Sequence, residues 1–231
     1  MKNPSDWVTE LFFCNPKTNL FHEIGEVKKK LENREFGIYK QRIEACDLKI
    51  RFAALSYLEV KKIVDSLEIG EFIYFDDESR LKASFYLESF VVFSRTAIDL
   101  AVSAYSIYFG NNVSIDSINP FLKKLSKLTW IPKDSITYWE NLNNLLAVDQ
   151  LTWIHPLVGK EKGTALRDLV MHKGTVWIDT YIDNRDKGRF YVEVDKYSAD
   201  HVLPFLDMVY NGVQELLFRV RDDVIKSEKI M

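Results

Sequence analysis

The sequence predicts a mainly α-helical fold: a bundle of four core helices, with additions at the N-terminus and between helices, and one β-hairpin over about residues 175–195 before the last helix. Three observations predict it. Nine Gly and six Pro in 231 residues leave long stretches without a breaker. Apolar residues return at three- and four-residue steps through most of the chain, the period of one helix face. After Gly174 that period gives way to alternation over one short region only.

The first long helix is expected from about Tyr39 to Leu67, where Ile43, Cys46, Ile50, Ala53, Ala54, Tyr57, Val60 and Val64 recur at helical steps with Lys and Glu between them. Gly70 punctuates its end. The acidic run Asp76-Asp77-Glu78 opens a second helix, where negative charge suits the N-terminal dipole, and Gly110-Asn111-Asn112 stops it after Phe109. Shorter helices are expected around Ser117–Leu128 and Lys133–Ala147, separated by the Trp130-Ile131-Pro132 break. A helix follows over residues 165–174, with Thr164 placed to cap it and Gly174 to close it.

In the hairpin, Val176, Ile178, Thr180 and Ile182 alternate with Trp177, Asp179 and Tyr181; Asp183 to Gly188 make the turn; Phe190, Val192 and Val194 alternate again. Helical spacing resumes from Asp200 to about Lys226 through Leu203, Leu206, Val209, Val213, Leu216, Leu217 and Val220. No repeat, low-complexity tract or linker interrupts the chain, so residues 1–231 are expected to form a single domain with an N-terminal extension of about residues 1–38.

The formal charge of −3 argues against a protein that coats nucleic acid through charge alone, which needs a basic excess, and leaves only a local basic patch for such a partner. Cys14 and Cys46 stand outside any C-x-x-C or Cys/His spacing, so neither a zinc site nor a disulfide framework is indicated, and no metal or cofactor is expected. The N-terminal MKNPSDWVTELFF carries Asp6 and Glu10 inside its apolar part, unlike a secretory signal. The most apolar run, residues 90–109, has Arg95 and Asp99 at its centre, where a bilayer would make both costly. It reads as a core helix of a cytoplasmic protein without membrane contact.

Residues 165–174 read ALRDLVMHKG and place Arg167, Asp168 and His172 on a helix otherwise filled by Leu166, Leu169, Val170 and Met171. Asp168 and His172 are four apart and share a face, with Arg167 at its edge. A guanidinium is a permanent bidentate donor matched to phosphate, and an imidazole titrates near neutrality. Together they suit the cleavage of a phosphodiester. In RNA the ribose 2′-OH attacks its own phosphate once a base takes the proton and a cation stabilises the developing charge, so the candidate chemistry needs no metal.

RDLVMH is similar to the Arg-x4-6-His motif of the HEPN superfamily, in which the residue after Arg is commonly Asn, Asp or His; Asp168 matches that position. Residues 89–105, SFVVFSRTAIDLAVSAY, resemble the long apolar second helix of that fold. The resemblance covers roughly residues 40–225 in helix order, and the motif residues carry it. It implies a four-helix up-and-down bundle, homodimeric, whose two motifs face one another in a composite site for metal-independent RNA cleavage, often in toxin–antitoxin or defence systems. The subgroup paired with nucleotidyltransferase antitoxins has a modifiable Tyr two positions after the His; this chain has Gly174 there. An antitoxin or other protein partner stays unidentified.

The expected catalytic set is therefore Arg167, His172 and Asp168. Glu88, Arg95 and Asp99 form a polar stripe with Ser84, Ser103 and Ser106 on the second long helix, which either faces the motif and orients it or is a solvated edge. Lys160, Lys162 and Lys173 give the motif a local positive excess for phosphate, with Lys123, Lys124 and Lys127 as an extension or as plain solubilising charge. His155, beside Trp153 and Pro156, reads as a loop or packing residue. Two other functions stay open: a catalytically silent HEPN-like module that binds a nucleotide, RNA or a protein, and a helical interaction protein in which the motif is accidental.

Overall fold

The computed structural model describes residues 24, 31, 33–66, 76–110, 114–148, 152–159, 165, 166, 168, 177–183, 186–194 and 197–229, with the backbone path alone over the strands. The fold is mainly helical. In chain order the elements are α1 (Asn33–Ser66), α2 (Asp77–Gly110), α3 (Ile118–Lys124) continued by a 3-10 turn (Leu125–Lys127), α4 (Lys133–Leu145), α5 (His155–Val158), β1 (Trp177–Asp183), β2 (Asp186–Val194), β3 (Tyr197–His201) and α6 (Val202–Lys229).

Helix α1 begins at Asn33 rather than near Tyr39, so the last part of the expected N-terminal extension is helical, with Glu35 in the first turn. Asp76 caps α2: its Oδ1 accepts the Ser79 N–H at 2.9 Å, satisfying one of the donors a helix start leaves open. Those hydrogen bonds from Ser79 hold the Asp76 carboxyl below its ordinary range.

Aromatic pairs fix the helix directions. Tyr39 meets Tyr108 at 5.8 Å between ring centroids, Phe52 meets Phe93 at 5.2 Å and Tyr57 meets Phe90 at 6.3 Å, so α1 and α2 run antiparallel. Phe90 lies 6.4 Å from Tyr210, the Tyr105 hydroxyl donates to Asp223 at 2.9 Å, and Tyr108 bonds Glu228, so α6 runs parallel to α2. The chain between them must therefore climb back along α2. Trp139 of α4 packs on Tyr105 at 5.5 Å, while the Leu157 carbonyl of α5 sits against Arg95, about 15 Å further up the helix.

Buried apolar side chains from every described helix join one core cluster. Helix α2 is long and apolar enough to cross a membrane, yet 72% of that stretch is buried inside the protein, as befits the central rod of a bundle.

Two glycines admit indoles against helix backbone. A Cβ on Gly110 would stand 2.6 Å from the Trp130 ring, and one on Gly212 would stand 2.1 Å from the Trp153 ring. These close approaches seat the segments just before α4 and α5 on α2 and α6 respectively.

The expected hairpin is present and gains a strand. β1 and β2 pair antiparallel, with Ile178 opposite Val192, and β3 adds antiparallel to β2, with Val192 opposite Asp200. The last helix accordingly starts at Val202, not Asp200, because the backbones of Asp200 and His201 are engaged in the sheet.

Candidate functional site

The motif region stands at the end of the returning leg. Ala165 and Leu166 are fully buried, and the Asp168 N–H donates to the Ala165 carbonyl at 2.9 Å, a tight first turn of the kind that opens helices. Asp168 itself is half-buried, so this turn passes from core to margin within three residues. Arg167, His172, Lys160, Lys162, Lys173, Thr164 and Gly174 lie outside the described residues.

Arg95 and Asp99 on α2 are turned toward the returning leg. Arg95 is 7% exposed; its Nε donates to Asp99 Oδ2 at 2.8 Å and its Nη1 to the Leu157 carbonyl at 2.8 Å. The other Asp99 oxygen accepts the Ile118 N–H at 2.9 Å. One ion pair thus ties the start of α3 and the α5 carbonyl to the same turn of α2. A charge-assisted bond to backbone is worth about 1.5–3 kcal/mol, and losing Arg95 leaves the Leu157 carbonyl and the half-buried Asp99 without that donor. Glu88 is half-buried; Ser84, Ser94 and Ser103 are buried, and Ser106 donates back to the Val102 carbonyl at 2.9 Å.

His155 is a packing residue with a defined tautomer. Its Nδ1 accepts the Thr152 N–H at 3.1 Å, which requires an unprotonated nitrogen there, and Nε2–H then donates to the Leu146 carbonyl at 3.2 Å. The ring closes the loop between α4 and α5.

A second polar node was not singled out from sequence. Asp223, 4% exposed on α6, accepts the Ser135 hydroxyl at 2.5 Å and the Tyr105 hydroxyl at 2.9 Å, with Arg219 Nε 3.3 Å from its other oxygen. Arg219 also donates to the Asp134 carbonyl at 2.5 Å and to Ser135 Oγ at 2.7 Å. Burial, and then the Asp223 charge, push the Tyr105 phenol well above its ordinary range. The node braces α4 against α6 and α2. In sequence, Arg219 and Asp223 look like a solvated i,i+4 pair.

Among the described residues, no group of three or more His, Cys, Asp or Glu side chains is arranged to hold a metal ion. Comparison of the chain with protein-family models, curated proteins and solved structures returns no match.

Proposed function

We propose that the chain is a cytoplasmic, HEPN-like, metal-independent endoribonuclease that acts as a homodimer. Arg167 holds the scissile phosphate, His172 takes the proton from the ribose 2′-oxygen, and Asp168 orients the pair. The 2′-oxygen bonds to phosphorus as the bond to the 5′-oxygen breaks, and His172 of the partner subunit protonates the departing oxygen across the composite cleft. The products are a 2′,3′-cyclic phosphate and a 5′-hydroxyl.

The observation that carries the reading is the motif's entry turn: Leu166 is in the core and Asp168, the motif residue two further on, is half-buried. The helix directions support it. Helix α2 opposes α1, the returning leg opposes α2, and α6 runs with α2, the alternation an up-and-down bundle requires.

The test is a broad RNA panel incubated with EDTA, with fragment ends read by mass spectrometry. Fragments with 2′,3′-cyclic ends are expected from the wild type, and Arg167→Ala loses them. RNA binding without fragments would instead assign the chain the silent binding role.

A further inference from the structure

We infer that the corner between α3 and α4 is a contact surface for the phosphate backbone of single-stranded RNA, through Lys123, Lys124, Lys127 and Lys133. The inference rests on the proposed reading of RNA as ligand and names where, away from the motif, the strand is held. All four lysines are exposed, and among the described residues none has an ion-pair partner. From Ser117 to Lys133 the sequence SINPFLKKLSKLTWIPK contains no acidic residue, so this stretch carries four positive charges in a chain of net charge −3. Such local concentration against the overall sign steers polyanions.

The backbone that carries those lysines is anchored on the core. Phe121 is buried and meets Trp130 at 6.1 Å, Trp130 lies on Gly110, and Arg219 ties the Asp134 carbonyl down at 2.5 Å. Lys124 and Lys127 bracket the 3-10 turn Leu125–Lys127, so they are three apart on one face with an axial rise of about 6 Å. Lys133 opens α4, whose N-terminal dipole adds positive potential at the same corner. The corner stands beside Gly110, about 22 Å along α2 from Arg95. It is therefore a distinct anchor from the Leu157 level where the returning leg is clamped.

The experiment uses a labelled 2′-O-methyl oligouridine, which binds but cannot be cleaved, titrated by fluorescence anisotropy at several salt concentrations. Lys124→Gln/Lys127→Gln is compared with Lys62→Gln/Lys82→Gln, an equal charge change at exposed positions on the opposite end of the bundle. The corner double is expected to lose roughly tenfold in affinity and about 1.4 in the slope of log K against log salt, and the distal double little of either. Equal losses from both doubles, no loss from the corner double, or no binding by the wild type overturns the inference. So does a corner double that keeps RNA binding but loses binding to phosphatidylserine vesicles. Wild-type binding with the corner effect but without cleavage of ordinary RNA supports the surface while refuting the ribonuclease reading.

Discussion

Gly212→Ala should destabilise the protein in the presence of Trp153 and stabilise it in its absence. The new Cβ would stand 2.1 Å from Cδ2, 2.2 Å from Cγ and 2.6 Å from Cε2 of the Trp153 indole. Carbon atoms rest at about 3.5 Å or more, so the ring must retreat by about 1.4 Å. An indole is rigid and here abuts helix backbone, which places the strain near the upper end of the overpacking range, about 3 kcal/mol. Replacing Gly by Ala inside a helix returns about 1 kcal/mol, leaving a net loss of about 2 kcal/mol. In a Trp153→Ala background the collision is gone and only the propensity gain of about 1 kcal/mol remains. Urea denaturation of the four proteins of this cycle measures both values. The same sign for Gly212→Ala in both backgrounds would refute the close-approach argument. The retreat of Trp153 would also disturb the neighbouring loop that His155 closes and the Leu157 carbonyl that Arg95 holds.

Arg95→Met should cost about 3 kcal/mol in urea denaturation, since it leaves Asp99 and the Leu157 carbonyl short of a partner, and Arg95→Met/Asp99→Asn should cost less than the sum of the two single changes. Asp76→Ala should lower the melting temperature at neutral pH. Because hydrogen bonds depress the Asp76 carboxyl in the folded state, its contribution is present above the ordinary carboxylate range and fades as pH falls through the depressed value, so the melting-temperature gap should close on acidification below that range. A gap that widens on acidification contradicts the cap. In alkali the sign reverses: burial raises the phenols of Tyr39, Tyr57, Tyr105, Tyr108 and Tyr138 well above 10 and that of Tyr210 to about 12. Their contribution holds below the ordinary phenol range and is lost as pH rises through the raised values. At about pH 11 the folded protein should show far less phenolate absorbance than the chain unfolded in guanidinium.

The long helices were legible because their signals are local. The Asp76 cap, the apolar steps of α2 and the Gly110 stop lie within the helix they delimit. The third strand was not: Asp200 and His201 continue the helical spacing of α6 in sequence, and only their pairing with β2, a contact between separate segments, holds them extended. Pro204 falls in the first turn of α6, where a proline is tolerated. Of the candidate residues, spacing gave the Arg95–Asp99 pair but not what it faces, since Ile118 and Leu157 arrive from later in the chain. Asp223 was missed for the same reason: its partners Tyr105 and Ser135 sit on other helices. The motif was found from residue chemistry and resemblance; of it, Ala165, Leu166 and Asp168 are described, with the Asp168 N–H bonded to the Ala165 carbonyl.

The proposed reaction turns on the imidazole of His172. Turnover of wild type and His172→Ala, compared in EDTA on the best RNA of the panel with helicity matched by circular dichroism, tests it most directly. The rate should fall by about 10²–10⁴ with the fold intact. Equal turnover by the two proteins would contradict it.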